Sequence, residues 1–178
     1  MEKEFIVTGV TSGLGASVAE SLKKDGSKVI GIDWKGKPDI QADLSKDDEV
    51  IGAMKEAFSM CPNLKGVVSN AGLSPVHENK SEIIEVNWFA AKMVLELSLD
   101  YLASREGSSA VAIASIGAAL GGDPVLEDYL HLGDREGIEN YLGMAQNNDP
   151  SVAGIVAYST CKAALARFAR TNAQNWGS

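Results

Sequence analysis

Short apolar runs alternate with amphipathic stretches along most of the 178 residues of this chain. Runs of this length are typical of buried strands, whereas the stretches between them repeat their apolar positions with the helical period. The apolar runs predict five strands, at residues 5–7, 28–33, 40–44, 64–69 and 110–115. Strands that alternate with helices predict an α/β protein in which helices cover a parallel sheet.

Helical periodicity is clearest in four stretches. The first has apolar residues on one face and ends near Gly26, a residue that favours a helix stop. The second follows Ser45, which is a good N-cap, and its apolar face consists of Val50, Ile51, Met54, Ala57 and Phe58. The third spans residues 81–104, and the fourth includes residues 158–162.

A glycine-rich turn joins the first predicted strand to the first predicted helix. Glycines let the backbone turn tightly and approach a phosphate, and the helix N-terminus offers free N–H groups to it. A turn in this context predicts one dinucleotide-binding domain over residues 1–178, with a doubly wound Rossmann-type parallel sheet. The alternative is a tight turn without a ligand. The turn residues expected to bind the cofactor are Gly9, Thr11, Ser12, Gly13, Leu14 and Gly15.

Acidic residues follow the second and third predicted strands. Asp33 comes 18 positions after Gly15, where a carboxylate can accept a hydrogen bond from the adenosine ribose and repel a 2′-phosphate. No Arg is adjacent to it, so NAD is favoured over NADP. Asp43 and Leu44 lie where adenine would bind. The alternative for both acids is a structural role in the turn that follows the strand.

Small or polar residues stand at the ends of the later strands and within the third helix. Asn70, Ala71 and Gly72 follow the fourth strand and leave room for a flat ring against the backbone. Ser115 ends the fifth strand, which we expect to be buried on both faces because its residues are small and apolar. Asn87 lies inside the third helix, where Asn is mildly unfavourable. Taken alone, it is more typical of a satisfied interior residue.

Tyr158 and Lys162 are four residues apart on the last predicted helix, so their side chains leave the same face. A nearby ammonium favours the phenolate form of a phenol, which makes such a pair suitable for proton transfer. Taken alone, the pair is also typical of two surface neighbours. Its position after the cofactor motifs is what favours the catalytic interpretation.

Composition limits the function further. The net charge of −8 and the pI near 4.8 argue against nucleic acid and against an anionic membrane surface as partners. Neither a signal peptide nor a membrane span is recognised, so a cytoplasmic location is expected. Cys61 and Cys161 are expected to be reduced thiols, and no metal site is predicted. His77 in a loop and His131 in an irregular stretch are expected at the surface.

These motifs together resemble the short-chain dehydrogenase/reductase family. The turn at residues 8–15, the Asn-Ala-Gly run at 70–72, and the ordered set of Asn87, Ser115, Tyr158 and Lys162 carry the resemblance. Within the family, the G-I-D run at 31–33, the A-D-L-S run at 42–45 and the N-A-G-L-S-P run at 70–75 are similar to bacterial 3α-hydroxysteroid dehydrogenases/carbonyl reductases.

The resemblance implies hydride transfer between NAD and a secondary alcohol or ketone, with a hydroxysteroid as one possible substrate. It implies that Tyr158 is the acid–base group, that Lys162 assists it and binds the cofactor ribose, and that Ser115 binds the substrate oxygen. Tyr158 and Lys162 are thus expected to belong both to the catalytic set and to the cofactor-binding residues. Asn87 is expected to fix a proton relay.

Two departures from the family pattern affect this prediction. Forty-two residues separate Ser115 from Tyr158, and residues 117–150 form an insert with two predicted helices, at 125–133 and 135–145. The insert is either a surface decoration or oligomer contact, or it is a wall of the substrate pocket.

The chain also stops at the catalytic helix, without the family's later strands and substrate lid, so we expect a fragment of a longer protein. An exposed edge on the fifth strand favours a homo-oligomer. The alternative functions are a non-enzymatic NAD-binding module and an inactive fragment.

Overall fold

The computed structural model describes residues 2–103 and 105–176 of the chain. These residues include a parallel sheet of five strands in the order β3-β2-β1-β4-β5. This order confirms the predicted Rossmann-type sheet, since the chain reverses direction across the sheet between β1 and β4. The strands are β1 Glu4–Thr8, β2 Lys28–Asp33, β3 Ile40–Gln41, β4 Leu64–Ser69 and β5 Ser109–Ala112.

Seven α-helices occur in the described residues, together with one π-helical segment at Glu85–Ala90 and one 3-10 helix at Ile116–Leu120. None of these helices is long and apolar enough to cross a membrane. The α-helices are α1 Gly13–Lys24, α2 Asp47–Met60, α3 Lys80–Ile84, α4 Ala91–Leu102, α5 Pro124–Leu132, α6 Arg135–Asn148 and α7 Pro150–Trp176.

The described chain forms two compact units. The first unit consists of residues 1–71, 90–113 and 173–178, and it contains the whole sheet with α1, α2 and α4. Its main core includes fully buried Ile6 and Val67 from the sheet and Val50 and Ala57 from α2. The second unit consists of residues 72–89 and 114–172. Its interior contains Trp88, Leu126 and Leu165, each at most 1% exposed.

The third and fifth strands differ from the sequence prediction. β3 ends at Gln41 rather than at residue 44, because Asp43 leaves the strand to accept hydrogen bonds from the N–H and hydroxyl of Ser45. β5 was expected to be buried on both faces, which is wrong: it ends at Ala112 and its Val111 is 44% exposed. Apolar composition alone does not distinguish a central strand from one at the edge of the sheet.

Two predictions about the helices are also wrong in detail. Ser45 does not cap α2: Lys46 occupies the N-cap position, while the Glu49 carboxylate reaches back to the N–H of Asp43 at 2.6 Å. The helix predicted at 81–104 begins at Lys80 and is interrupted by the π-helical segment, and Ser104 lies outside the described residues. His131 lies in α5, within the helix predicted at 125–133, and is exposed as expected. Both helices predicted in the insert are present, at slightly different bounds.

Candidate active and cofactor sites

The glycine turn of the first unit is closely packed at two of its glycines. Gly9 has a φ of 69°, and a Cβ on it would lie 2.8 Å from the Cα of Ala71. A Cβ on Gly15 would collide with the carbonyl oxygen of Gly9. The side chain of Ser12, at the N-cap of α1, makes no capping hydrogen bond. The first N–H groups of α1 therefore lack a side-chain cap, which suits the binding of a phosphate.

Asp33 is only 5% exposed, and its carboxylate forms hydrogen bonds with the glycine turn. One oxygen accepts hydrogen bonds from the backbone N–H of Thr11 at 2.9 Å and from its hydroxyl at 2.8 Å. The other oxygen accepts from the N–H of Trp34 at 2.8 Å and from the N–H of Lys35 at 3.4 Å. These four bonds match the roughly four acceptor positions of a carboxylate. They fit the structural alternative for Asp33, and its role toward the ribose stays a prediction.

The C-terminal ends of β1 and β4 are joined through Thr8, which is 1% exposed. Its hydroxyl oxygen accepts hydrogen bonds from the N–H groups of Asn70 and Ala71, both at 3.0 Å. The Asn70 amide donates in return to the carbonyl oxygen of Thr8 at 2.9 Å. These strands flank the point where the strand order reverses, which is where open α/β sheets bind ligands. Thr8 was not predicted as a site residue, although its place in the glycine motif was a usable signal.

The turn after β3 is arranged for stability. Partial burial raises the pKa of Asp43, but hydrogen bonds from Ser45 and the Lys46 ammonium outweigh it, so the pKa lies below its ordinary value. The side chain of Leu44 packs in the core. These contacts match the structural alternative for Asp43, and its role toward adenine stays a prediction.

Gly72, the last residue of the predicted Asn-Ala-Gly run, is exposed and belongs to the second unit.

Lysines surround a cleft of about 730 Å³ in the first unit, which Thr11 helps to line. Lys23, Lys24 and Lys37 contribute the positive charge of this cleft, and Lys24 is paired with Glu20 at 2.7 Å. The prediction of NAD rests on the Asp33 carboxylate, which repels a 2′-phosphate, and on the absence of an adjacent Arg. The lysines of the cleft act in the opposite sense, so NADP is the cofactor to compare with NAD in a titration.

In the second unit, Tyr158 and Ser115 both lie beside Gly117. A Cβ on Gly117 would be 3.3 Å from Cε1 of Tyr158 and 3.5 Å from Oγ of Ser115. Ser115 caps the 3-10 helix, because its hydroxyl oxygen accepts a hydrogen bond from the N–H of Gly117 at 3.1 Å. The phenol and the hydroxyl are therefore on the same side of this unit. Gly117 keeps the space between them free of a side chain, and sequence reasoning did not single it out.

Lys162 lies one helical turn after Tyr158, as expected, and its Nζ is 5.9 Å from the centre of the Tyr158 ring. Lys162 is only 4% exposed. Burial lowers the pKa of this ammonium, while the neighbouring Cys161 has the opposite, smaller effect. A lysine held at this depth beside a phenol fits a role at a reactive site better than a role on a solvated surface.

Asn87 is completely buried within the π-helical segment. Its amide oxygen accepts a hydrogen bond from the N–H of Leu73 at 2.7 Å, and its amide nitrogen donates to the carbonyl oxygen of Leu73 at 2.9 Å. Asn87 thus holds the loop that follows β4 through both backbone groups of Leu73. π-Helical turns occur frequently at functional sites, and this one carries a predicted site residue.

The insert is anchored to the rest of the second unit by polar contacts. The indole N–H of Trp88 donates to the carbonyl oxygen of Leu130 at 3.1 Å, and Arg135 forms a two-point ion pair with Glu85 at 2.9 and 3.0 Å. The hydroxyl oxygen of Thr160 accepts from the N–H of Asp123 at 2.9 Å. These contacts make the insert a packed part of this unit rather than a loose surface addition. Whether it walls the substrate pocket stays a prediction.

The side chains of Tyr158, Ser115 and Lys162 can supply acid–base and hydrogen-bonding chemistry. No group of three or more His, Cys, Asp or Glu side chains in the described residues is arranged to hold a metal ion. Cys61 and Cys161 are free, buried thiols. Nε2 of His77 lies 2.7 Å from a carboxylate oxygen of Glu82, and Nε2 of His131 lies 3.3 Å from one of Glu127.

Residues 3–126 match the short chain dehydrogenase family. The chain is 28% identical over 175 residues to 3-alpha-hydroxysteroid dehydrogenase/carbonyl reductase of Comamonas testosteroni, covering 97% of this chain and 66% of that protein. It is 30% identical over 185 residues to coniferyl-alcohol dehydrogenase of Pseudomonas sp. (strain HR199 / DSM 7063), covering 98% and 67%.

A similar solved structure is the 3-alpha-hydroxysteroid dehydrogenase of Pseudomonas sp. B-0831 complexed with NADH, at 30% identity and a TM-score of 0.79. That alignment covers 99% of this chain and 67% of the other chain. The protein described here belongs to the short chain dehydrogenase family, which confirms the resemblance seen in its motifs. It spans about two thirds of the length of these relatives.

Proposed function

We propose that the protein is an NAD-dependent oxidoreductase that interconverts a secondary alcohol and a ketone. The observation that carries this proposal is the grouping of the Tyr158 ring and the Ser115 hydroxyl around Gly117, with the buried Lys162 one turn away. This grouping supplies an acid–base group, a hydrogen-bond partner for the substrate oxygen, and a positive charge. Relatives whose names include alcohol and hydroxysteroid dehydrogenases support the same reaction class.

The proton would be moved by side chains of the second unit. Tyr158 would accept the alcohol proton during oxidation and return it during reduction, while the Ser115 hydroxyl holds the substrate oxygen in place. The Lys162 ammonium would stabilise the phenolate and bind the ribose hydroxyls of the cofactor. Asn87 would keep the loop at Leu73 in the position that a proton relay requires.

The dinucleotide would be bound mainly by residues of the first unit. The glycine turn and the α1 N-terminus suit the pyrophosphate, and Asp33 would accept from the adenosine ribose in exchange for one of its present donors. When bound, NAD supplies the hydride acceptor of the oxidation. A similar enzyme that has been solved with NADH supports NAD as the cofactor. The lysines near Thr11 are the reason to test NADP beside it.

The proposal is tested by comparing this chain with Tyr158→Phe in assays that contain NAD and a panel of secondary alcohols. The variant keeps the ring but loses the acid–base hydroxyl, so kcat/KM should fall by roughly 10²- to 10⁴-fold. Tyr101→Phe is a matched control, because Tyr101 is exposed and stacks on Phe58 through its ring. Equal turnover by the parent and Tyr158→Phe would show that the acid–base assignment is wrong.

Cofactor titrations complete the test. Affinity for NAD should exceed that for NADP, because the Asp33 carboxylate repels a 2′-phosphate, and the reverse preference would contradict this role for Asp33. Binding of NAD without turnover would favour a non-enzymatic NAD-binding module. Absence of both would favour an inactive fragment. The expected cytoplasmic location and homo-oligomeric state stay predictions.

A further inference from the structure

Thr160 is a fully buried polar residue on the part of α7 that carries Tyr158 and Lys162. It lies two positions after the one and two before the other, and residues two apart leave a helix on different faces. Its hydroxyl therefore does not belong to the face that the phenol and the ammonium share. A buried hydroxyl takes a hydrogen-bond partner, and the place of that partner shows what this face of α7 is held against.

The beginning of the insert lies directly against Thr160. The hydroxyl oxygen of Thr160 accepts a hydrogen bond from the N–H of Asp123 at 2.9 Å. A Cβ on Gly122 would lie 3.0 Å from the Cα of Thr160 and 3.1 Å from its Cγ2, so backbone touches helix at this point. The bond joins residues 37 positions apart, so it fixes α7 relative to the insert rather than within its own helix.

Asp123 is itself held by both helices of the insert. One oxygen of its carboxylate accepts from the N–H groups of Val125 and Leu126, both at 3.0 Å, which makes Asp123 the N-cap of α5. The hydroxyl of Tyr141 in α6 donates to the same carboxylate. Burial, followed by this hydrogen bond, raises the pKa of Tyr141 to about 12, so its phenol stays protonated and keeps donating at neutral pH.

We propose that Thr160 is a positioning residue for the reaction: its hydroxyl, held by Asp123, sets the place of the helical turn on which the phenol and the ammonium of the site stand. This inference rests on the proposed function. A misplacement of about 1 Å in an active site can lower a rate by about a hundredfold, so a single fixed contact at this turn matters for catalysis. The role does not require the insert to wall the substrate pocket.

A second contact between the insert and α7 provides the comparison. Arg167 of α7 forms an ion pair with Glu127 of α5 at 2.9 Å. Arg167 comes nine positions after Tyr158, on a later turn of the helix, whereas Thr160 comes only two positions after it. Both contacts attach the insert, but only the contact of Thr160 acts at the turn that carries the phenol. If attachment alone mattered, the two contacts would be equivalent for catalysis.

The experiment compares the kinetics of NAD-dependent alcohol oxidation in the parent, Thr160→Val and Thr160→Ser. Val keeps the shape of the side chain and removes the acceptor, so kcat should fall roughly tenfold to hundredfold at a temperature where the variant is fully folded, with unchanged affinity for NAD. Ser supplies the acceptor again and should restore kcat. Thr171→Val is the matched control, because the Thr171 hydroxyl donates to carbonyl oxygens of Arg167 and Phe168 in its own helix. Its kcat should match the parent.

Two further variants separate positioning from attachment. Arg167→Gln breaks the other contact with the insert, so it should lower stability and leave kcat unchanged in the folded protein. Tyr141→Phe keeps the ring but loses the hydroxyl that holds Asp123, so it should lower kcat in the same direction as Thr160→Val, although less. Because Tyr141→Phe leaves α7 itself unaltered, it also decides the question if Thr160→Val does not fold.

The ring signals of ¹³C-labelled tyrosine provide a readout that needs no turnover. The chain has four tyrosines, and Tyr158→Phe assigns the signal of Tyr158. That signal should move in Thr160→Val and Tyr141→Phe and stay in place in Thr171→Val. If it moved in this way while no alcohol was oxidised, the proposed function alone would be wrong. A Tyr158 signal that stayed in place in Thr160→Val, a kcat of Thr160→Val equal to that of Thr171→Val, or an equal loss of kcat in Arg167→Gln would each overturn this inference.

Discussion

Among single residues, Gly154 has the least room for change. It is a buried helical position at which any side chain would collide with the carbonyl oxygen of Pro75. The contact sets the distance between α7 and the loop that Asn87 fixes at Leu73. We therefore regard Gly154 as a positioning residue for the surroundings of Tyr158, although it touches no reacting group itself.

Replacing Gly154 by Ala should lower the free energy of unfolding by about 1–3 kcal/mol, as is usual for overpacking. Gly143→Ala is the matched control, because Gly143 is a helical glycine in α6 with no atom within 4 Å of its Cβ position. That control should gain roughly 0.5–1 kcal/mol from helix propensity. Urea denaturation gives both values.

If Gly154 positions the surroundings of Tyr158, Gly154→Ala should also lower kcat, which a loss of stability alone would not do in the folded protein. At a temperature where Gly154→Ala is fully folded, its kcat should be lower than that of the parent, while its affinity for NAD stays the same. The kcat of Gly143→Ala should match the parent. If Gly154→Ala were as stable and as active as Gly143→Ala, the contact with Pro75 would have no influence on the site.

Among the structural elements, the π-helical segment joins site and insert through adjacent residues. Asn87 holds the loop at Leu73, and Trp88 donates its indole N–H to the carbonyl oxygen of Leu130 in the last turn of α5. Carbonyl groups in a last helical turn lack partners within the helix, so the indole acts as part of the C-terminal cap of α5. The same ring is packed edge-on against His131 and Phe168.

Trp88→Phe removes the donor and keeps an aromatic ring. Leaving the buried Leu130 carbonyl with one partner fewer should lower the free energy of unfolding by roughly 1–3 kcal/mol. Amide hydrogen exchange should speed up mainly in α5 and α6. Trp34→Phe is the control, because Trp34 is 59% exposed and its replacement should change neither quantity. Faster exchange spread evenly over the chain would show that Trp88 does not specifically hold the insert.

How well each element could be predicted depends on how local its cause is. The bounds of β2 and β4, the glycine turn and the two insert helices follow from short patterns in neighbouring residues. The π-helical turn could not be read from the apolar period, because its partners at Leu73 and Leu130 are distant in sequence. The cap at Ser45 failed for a local reason instead: its hydroxyl donates to Asp43, two residues earlier, rather than accepting from the N–H groups of α2.

The candidate site follows the same distinction. Tyr158 and Lys162 could be placed together from helical spacing, and the chemistry of their residue types suggested a role. The importance of Gly117 and Gly154 could not be foreseen, because a glycine reveals nothing about what would occupy its missing side chain. Only the packing of Tyr158 against Gly117 and of Pro75 against Gly154 distinguishes these two glycines from Gly143.

For the whole molecule, the two thiols link stability to pH. Cys61 lies in the first unit and Cys161 in the second, with 1% and 0% exposure. Burial, followed by the nearby Glu4 carboxylate, raises the pKa of Cys61 from 9.0 to about 11, and burial raises the pKa of Cys161 as well. Unfolding restores the ordinary values. In this pH range the unfolded chain therefore binds fewer protons than the folded one.

Since stability falls with pH wherever the unfolded state binds fewer protons, these thiols should destabilise the fold progressively above pH 9.0. Their contribution is fully present below that value and is lost as the pH rises toward the folded value. For Cys61, the full shift from 9.0 to about 11 corresponds to about 2.7 kcal/mol, of which about 2 kcal/mol is lost between these two pH values.

Urea denaturation of the parent and of Cys61→Ala, repeated across this pH range, isolates the effect from all other titrating groups. The stability advantage of the parent over the variant should shrink by about 2 kcal/mol between pH 9.0 and about pH 11. The loss of packing in Cys61→Ala adds an offset that does not depend on pH, so only the change with pH matters. An advantage that stays constant over this range would mean that Cys61 ionises equally well in the folded and unfolded chain, and that its burial does not exclude water.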